Sequence, residues 1–348
     1  MMAENDGLPI VLITGVGTLG SPLAELLARQ QPDSTLILVD PGVVREYHAR
    51  KSTYRHSDIG QRKAIAEAQH LRDIAPHMWV VPVARPLEAL GAGPFRVAAV
   101  AIAALDNRMA KFAWSRACQA AAVPHALIAE LEGGDSFAGR LRAFAPARTA
   151  GRGPCLECGW SAQDYAVLGR LSQPCNLPQE ATAGEKSGPP TPVRFSSALR
   201  LAAECVEEIG RGLAGRPSWA PGEELRLLPE QRRYAVFRTP PRADCLCPHG
   251  AAQPRVDLTG AVQELCVGDF IGQADAALGR GWIWHAADGA GRQASDLAPQ
   301  ARRLLADLCP PGDLLRMTRA SGETVWVALP TDGLLAWLSE PSVVESSP

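Results

Sequence analysis

The sequence contains few lysines, few aromatic residues and no long hydrophobic run. Four lysines stand against 31 arginines, aromatic residues make up 5% of the 348 residues, and the formal net charge is −2. The longest apolar run, VAAVAIAAL at 97–105, is too short to cross a bilayer. There is no strongly basic stretch, so nucleic acid is not an expected partner. The N-terminal MMAENDGLP is acidic and unlike a signal peptide, so we expect a soluble, cytoplasmic protein.

Short apolar runs alternate with amphipathic segments from residue 10 to about residue 145. The runs IVLIT, TLILVD, MWVVPVA and RVAAVAIAAL are typical of buried strands, and helices are predicted at 21–29, 62–74 and 107–122. Apolar strands that alternate with helices predict an α/β fold with a doubly wound, mostly parallel Rossmann-like sheet.

The residue pattern of the chain changes beyond residue 147. Residues 177–192 are predicted to form a loop, 193–213 a long helix and 224–239 a hairpin. After residue 250, a strand at WIWH, a helix at 299–307 and a hairpin at LLRMTRASGETVWVALP predict a small α+β domain. We therefore expect two domains, 1–250 and 251–348.

A glycine-rich turn follows the first predicted strand. Gly15, Gly17 and Gly20 form the pattern G-x-G-x-x-G at the start of a helix, and Asp40 ends the next strand. Backbone N–H groups at a helix start favour phosphate, and a carboxylate at the position of Asp40 can accept from ribose hydroxyls. Taken alone, this pattern predicts a nucleotide site without distinguishing NAD from ATP.

Four further residues favour ATP. Arg50 follows Asp40 by ten residues, Lys63 begins the next predicted helix, and Asp106 and Asn107 follow the fourth strand. The carboxyl edge of a parallel sheet is where α/β proteins bind ligands. Two cations would neutralise a triphosphate and a carboxylate would hold Mg²⁺, whereas hydride transfer with NAD requires neither.

Four of the nine cysteines occur in two close pairs, C-x-x-C and C-x-C. The pairs are Cys155 with Cys158 and Cys245 with Cys247. In a cytosolic chain this pattern predicts a closed, structural four-thiolate zinc site. The second pair is tighter than usual, so His249 is an alternative ligand. Cys118 and Cys205 lie in apolar helical contexts and are expected in the core.

The order of these motifs resembles the ThiF/MoeB/ubiquitin-activating-enzyme superfamily over residues 8–250. The matching elements are the glycine-rich turn, Asp40, Arg50, DIGQRKA, LDN, GPCLEC and the late cysteine pair. The resemblance implies adenylation, with ATP and Mg²⁺, of the C-terminal glycine of a ubiquitin-like or sulfur-carrier protein. By matched position it implies a ribose contact for Asp40, triphosphate contacts for Arg50 and Lys63, and a Mg²⁺-linked role for Asp106.

The resemblance also implies a nucleophile and partners. Cys175 lies 17 residues after Cys158 and resembles the loop cysteine with which some members form a thioester. Other members work by adenylation alone, which would make Cys175 an incidental thiol. The implied partners are a ubiquitin-like protein, a conjugating enzyme docked on residues 251–348, and a second copy in a homodimer. The expected setting is antiphage defence in bacteria.

The sequence departs from the family pattern at three points. The family's Asn-Leu-Asn-Arg-Gln is YHARK here, Thr18 stands where a glycine is common, and the usual N-terminal helix with an extra arginine is missing. One alternative is an adenylyltransferase for a sulfur carrier in molybdopterin, thiamine or tRNA thiolation. Another is an NAD-dependent oxidoreductase or a non-catalytic nucleotide-sensing scaffold, because the glycine-rich pattern is shared.

Overall fold

The computed structural model describes most of the chain in twelve stretches. These are residues 7–131, 139–147, 153–171, 193–228, 233–245, 247, 255–260, 263–285, 291–293, 297–305, 308–321 and 323–340. Cys175 and His249 lie outside the described residues. No helix in these stretches combines the length and the apolar character needed to cross a membrane.

An eight-stranded sheet forms the centre of the fold. Its strands are β1 (Ile10–Thr14), β2 (Thr35–Val39), β3 (Trp79–Val83), β4 (Val100–Ala103), β5 (His125–Leu131), β6 (Gly139–Phe144), β7 (Glu223–Leu228) and β8 (Arg233–Arg238). The spatial order is β3-β2-β1-β4-β5-β6-β7-β8. The strands β3, β2, β1, β4 and β5 are parallel to their neighbours in this order, and β6, β7 and β8 continue the sheet with antiparallel pairing. The predicted mostly parallel α/β sheet is therefore confirmed.

Helices cover both faces of the parallel part of the sheet. They are α1 (Gly20–Gln30), α2 (His48–Lys51), α3 (Lys63–Ile74), α4 (Gly93–Val97), α5 (Arg108–Ala121), α6 (Ala162–Leu171) and α7 (Phe195–Leu213). Successive strand side chains point to opposite faces. Val11 and Ile13 therefore pack with α1, α3 and α7, whereas Leu12 packs on the face of α4 and α5. Cys118 and Cys205 are buried, as expected.

One predicted strand is shorter than the sequence indicated. The run RVAAVAIAAL predicted a strand from residue 96, but the residues up to Val97 belong to α4, and β4 begins at Val100. Pro94 lies in the first turn of α4, where its fixed φ and its missing N–H favour helix initiation. Alanine and valine runs do not distinguish a buried helix from a buried strand by periodicity.

A five-stranded sheet is formed by the following part of the chain. Its strands are β9 (Arg255–Asp257), β10 (Ile283–His285), β11 (Gly291–Gln293), β12 (Leu314–Thr318) and β13 (Thr324–Ala328), in the order β11-β10-β12-β13-β9. The predicted hairpin is β12–β13. The helix predicted at 299–307 is wrong over residues 299–305, the part of it that the structure describes, where Ala298–Gln300 form a 3₁₀ turn and no α-helix follows. Helix α8 (Val267–Leu278) lies in this region instead, and the domain boundary near residue 250 stays a prediction.

A helix from beyond the small sheet packs against the large one. In α9 (Leu334–Ser339), Leu334 and Leu338 join the core cluster that also contains residues of β3. The Arg85 guanidinium donates a hydrogen bond of 3.0 Å to the Trp337 carbonyl and lies 4.0 Å from the centre of its ring. This helix therefore attaches the chain that follows the small sheet to β3 of the large sheet.

Candidate functional site

The glycine-rich turn requires glycine at its first and last positions. Gly15 has φ +85°, and a Cβ there would lie 2.5 Å from the Ala104 backbone oxygen. A Cβ on Gly20 would lie 1.9 Å from the Gly15 backbone oxygen. A Cβ on Gly17 would meet the Lys63 Nζ at 4.0 Å and nothing closer. The first and third glycines thus let backbone segments approach each other, while the backbone at Gly17 faces open space next to an ammonium group.

Asp40, at the end of β2, is held in place by backbone groups. Its Oδ2 accepts a hydrogen bond from the Val16 N–H at 2.8 Å, and its Oδ1 accepts one from the Gly42 N–H at 2.7 Å. Lys63 Nζ lies 3.8 Å from Oδ2. Each carboxylate oxygen has a further lone pair, so Asp40 can still accept from a hydroxyl group.

Lys63 is the first residue of α3, as the sequence predicted. Its backbone N–H donates to the Gly42 carbonyl at 2.9 Å, and its side chain is 16% exposed. The ammonium group therefore lies between Gly17, Gly42 and Asp40. Among the predicted site residues, the structure brings together Gly17, Asp40 and Lys63.

Tyr54 connects the glycine-rich turn with the start of α3, and sequence analysis missed it. Its buried hydroxyl donates to the Val16 carbonyl at 2.6 Å and lies 3.2 Å from the Lys63 carbonyl. Burial, followed by the nearby carboxylates, raises the pKa of the phenol, so it remains a donor. No local pattern distinguishes Tyr54 from Tyr47, whose side chain is exposed.

His48 is buried next to this site as a neutral ring. Its Nδ1 accepts a hydrogen bond of 2.7 Å from the Arg45 N–H, which requires that nitrogen to be unprotonated. Burial and the positive charge of Lys63 lower the pKa of His48 to about 4.

The remaining predicted site residues are Arg50, Asp106 and Asn107. Arg50 is 81% exposed on α2, and its NH2 lies 3.6 Å from Glu46 Oε1. Asp106 is exposed just past β4, at the carboxyl edge of the sheet. The Asn107 Oδ1 accepts a hydrogen bond of 2.7 Å from the Ala110 N–H and so caps α5. Ligand contacts for these three residues remain predictions.

The four paired cysteines form one cluster, in which Cys155, Cys158 and Cys247 are buried and Cys245 is partly buried. Cys155 Sγ lies 3.9 Å from Cys158 Sγ and 3.6 Å from Cys245 Sγ, and Cys247 is 2% exposed. Four thiolates at Zn–S bonds of about 2.3 Å in a tetrahedron have Sγ atoms about 3.8 Å apart. The Sγ atoms of Cys155, Cys158 and Cys245 lie within 4.8 Å of one another, and Cys247 belongs to the same cluster. The cluster could therefore hold zinc, as the spacing of the two pairs predicted.

A buried carboxylate attaches this cluster to α5 and α6. Glu157, fully buried between two of the cysteines, accepts from Arg116 Nε at 2.5 Å and NH2 at 2.7 Å. The Tyr165 hydroxyl of α6 donates to the same carboxylate at 3.1 Å. Arg108, at the start of α5, lies 2.8 Å from Asp164 of α6. Because α5 begins just after Asp106 and Asn107, it runs from the carboxyl edge of the sheet to the cysteine cluster.

A second charged cluster lies near the end of β5, and no sequence pattern indicated it. Glu130 Oε1 lies 2.5 Å from Lys111 Nζ, and its Oε2 accepts from Arg140 Nε at 2.6 Å and Arg142 NH2 at 2.7 Å. Burial alone would raise the pKa of Glu130, but the three cations together hold it well below its usual range. We call these four residues the Glu130 cluster.

Solved structures with a similar fold include several of E. coli MccB. One was solved with ATP and another with MccA-N7isoASN. Each has a TM-score of 0.52 and 13% identity over 69% of this chain. The chain covers 66% and 67% of those two chains, about two thirds of their length. PaaA matches with a TM-score of 0.48 and 18% identity, over 66% of this chain and 64% of its own. At these identities the likeness shows the fold alone, and no curated protein matches the chain.

The sequence itself matches a protein-family model. The match runs over residues 10–195, from β1 to the first residue of α7, and so includes the glycine-rich turn, Lys63 and the first cysteine pair. This is more than half of the chain, and it supports an adenylyltransferase that uses ATP. The chain therefore belongs to the ThiF family.

Proposed function

We propose that the chain uses ATP and Mg²⁺ to adenylate the C-terminal carboxylate of a peptide or protein. The observation that carries this proposal is the Lys63 ammonium next to the open backbone of Gly17. A cation at the end of a glycine-rich turn favours a triphosphate, because it neutralises charge that accumulates as pyrophosphate leaves. Membership of the ThiF family supports the same chemistry.

In the proposed reaction, a carboxylate oxygen of the substrate forms a bond to the α-phosphorus of ATP, and the bond to pyrophosphate breaks. Lys63 would stabilise the phosphate oxygens, and Asp40 would orient the ribose through its remaining lone pairs. Bound Mg²⁺ supplies further charge neutralisation, and Asp106 is the carboxylate proposed to hold it. Arg50 would join the phosphates after leaving Glu46, a contact that is exposed and therefore weak.

A second step follows if Cys175 is the nucleophile. Its thiolate would attack the carbonyl carbon of the acyl-adenylate, forming a thioester and releasing AMP. Helix α6 supports this step, because it ends at Leu171, four residues before Cys175, and its Asp164 is paired with Arg108 next to Asp106. The substrate would be the C-terminal glycine of a ubiquitin-like protein.

The acyl group would then pass to a conjugating enzyme docked on residues 251–348. The activating enzyme would act as a homodimer in antiphage defence.

A peptide or protein substrate is supported by MccB, which was solved in complex with N-formylated MccA. An adenylyltransferase for a sulfur carrier is the second candidate, since it would use the same nucleotide residues. It would yield a thiocarboxylate on the carrier and would require no conjugating enzyme.

The first test is thermal unfolding with Mg²⁺·ATP and, separately, with NAD. A ligand that binds only the folded state raises the unfolding midpoint. We expect ATP with Mg²⁺ to stabilise the wild type and the control Asp33→Ala, which changes an exposed carboxylate before β2. Asp106→Ala should lose most of the shift. Stabilisation by NAD but not by ATP would refute the proposal at its first step and favour an oxidoreductase.

The second test addresses the thioester. A candidate carrier incubated with ATP should form an adduct that thiols cleave, and Cys175→Ser should abolish it while exchange of pyrophosphate into ATP continues. Cys266→Ser, at a partly exposed cysteine of the smaller sheet region, is the matched control. A thiol-sensitive adduct that persists in Cys175→Ser would rule out this cysteine, and a thiocarboxylate product would establish the sulfur-carrier alternative.

A further inference from the structure

A fully buried carboxyl group lies one helical turn away from Lys63. Glu67 follows Lys63 by four residues in α3, and its side chain is inaccessible to solvent. Within the described residues it makes no ion pair, and its Oε1 has no hydrogen-bond partner. Ala64 and Leu71, on the same face of the helix, belong to the apolar core. Glu67 therefore stands where packing alone would favour an apolar side chain.

The surroundings of Glu67 favour its neutral acid form. Burial, followed by the charge of Glu25 on α1, raises the pKa of Glu67 well above its usual range, and Asp58 acts in the same direction. A hydrogen bond from Thr53 opposes these effects without balancing them. A buried polar group with an unpartnered oxygen costs stability, and such groups in folded proteins concentrate at functional sites.

The hydrogen bond between Glu67 and Thr53 links α3 to the start of α1. The Thr53 hydroxyl donates to Glu67 Oε2 at 3.3 Å, and the Thr53 N–H donates to the Ser21 Oγ at 3.3 Å. Ser21 is buried in the first turn of α1, directly after Gly20. Thr53 thus lies between the two helices that begin at the nucleotide site, next to Tyr54, which contacts both of them from the same segment.

The same segment also determines where α2 ends. Residues 52–54 directly follow α2, the short helix that carries Arg50, and the Ser52 hydroxyl donates to the His48 carbonyl at 2.5 Å. The position of Thr53 therefore affects three groups proposed to contact phosphate: the N–H groups at the start of α1, Lys63 and Arg50. A displacement of about 1 Å in such a group is enough to impair it.

We propose that Glu67 is a positioning residue for the triphosphate, which acts through Thr53 by holding residues 52–54 between α1 and α3. The inference rests on the proposed function and adds to it a residue that touches neither reactant. Glu67 supplies an acceptor inside a packed helix pair, and Thr53 transmits its position to the glycine-rich turn and to the end of α2. The stability that the buried carboxyl group costs is offset by tighter binding of ATP.

The test compares the affinity of the full chain for two probes by isothermal titration calorimetry. The probes are the α,β-methylene analogue of ATP with Mg²⁺, and AMP, which lacks the two terminal phosphates. Glu67→Leu should weaken binding of the ATP analogue about five- to tenfold, the loss expected for one hydrogen bond, and change AMP binding less than about twofold. Without ligand, this variant should unfold at or above the wild-type midpoint, because an unpartnered buried oxygen is removed.

Three further variants separate positioning from packing. Glu67→Gln should bind both probes within about twofold of the wild type, since its amide oxygen can accept from the Thr53 hydroxyl. Thr53→Val removes the same hydrogen bond from the other side and should reproduce the effect of Glu67→Leu, even if that variant does not fold. The double variant should bind no more weakly than either single one, because both break one interaction.

The matched control is Glu207→Leu, which makes the same substitution at a carboxylate of α7 that is 58% exposed, and it should change neither affinity. The proposal is overturned if Glu67→Leu and Thr53→Val bind the ATP analogue as the wild type does. It is also overturned if they weaken both probes equally, or if Glu67→Gln loses as much affinity as Glu67→Leu.

These outcomes would leave adenylation standing, provided that the wild type binds the ATP analogue. If the wild type binds neither probe by about 1 mM, the proposed function is wrong, and the role of Glu67 fails with it.

Discussion

Replacing Arg116 with glutamine should expose how strongly the cysteine cluster depends on its link to α5. The substitution leaves the fully buried Glu157 carboxylate with Tyr165 as its remaining hydrogen-bond partner among those described above. Removing one partner of a buried ion pair costs about 3–5 kcal/mol. The Arg116 side chain is 33% exposed, so water relieves part of this, and we expect about 2–3 kcal/mol.

This loss should be measured as thermal and guanidinium unfolding at pH 7. A loss of that size lowers the midpoint by roughly 4–12 °C, since 1 kcal/mol corresponds to about 2–4 °C in chains of 150–250 residues. Adding Glu157→Gln to Arg116→Gln should restore at least half of the stability, because a neutral amide no longer leaves a buried charge.

The matched control is Arg211→Gln, which breaks an exposed contact of 4.0 Å to Glu207 and an exposed hydrogen bond of 2.8 Å to the Ser218 hydroxyl, and should cost less than about 1 kcal/mol. If Arg116→Gln unfolds within about 1 °C of the wild type, the ion pair does not stabilise the fold as expected. If the second substitution brings no recovery, the buried charge is not the source of the loss.

Three further predictions concern the nucleotide site and its surroundings. Gly20→Ala should abolish stabilisation by ATP in the thermal assay, because its Cβ would lie 1.9 Å from a backbone oxygen of the turn; an unchanged ATP shift would contradict this. Tyr54→Phe should lower the free energy of unfolding by about 1–3 kcal/mol and raise KM for ATP, since the Val16 carbonyl is left without its donor. If stability falls by this amount but KM for ATP does not change, the role of Tyr54 is structural. In the folded protein the pKa of His48 is lowered to about 4, whereas in the unfolded chain it has its ordinary value near 6.5. Between these two pH values the ring takes up a proton when the protein unfolds. Stability should therefore fall between pH 6.5 and pH 4, and His48→Asn should show a smaller fall in the same unfolding series.

The sequence predicted those parts of the fold and site that depend on local pattern. β1 and β2 are continuous apolar runs, and all five residues of each are buried, as expected for strands covered on both faces. Lys63 was predicted to begin a helix and does so. The two cysteine pairs predicted a cluster that the structure contains.

The features that sequence analysis missed depend on residues far apart along the chain. Tyr54 meets the Val16 carbonyl across 38 positions, and Glu157 meets Arg116 across 41. Neither residue type nor spacing reveals such contacts, because tertiary packing decides which buried polar groups become partners. The exposed position of Arg50 was likewise not predictable, since α2 is a single turn whose orientation no periodic pattern defines.

The packing of α9 against β3 has a consequence for how the chain folds. The contact of Arg85 with Trp337 spans 252 positions, so the helical layer next to β3 is completed only after most of the chain has been synthesised. Contacts of such separation slow folding, because a long loop must close before they form. During synthesis the apolar side chains of Val81 and Val83 would be open to other chains, which favours aggregation. We therefore expect fragments that stop before α9 to be recovered largely as insoluble protein.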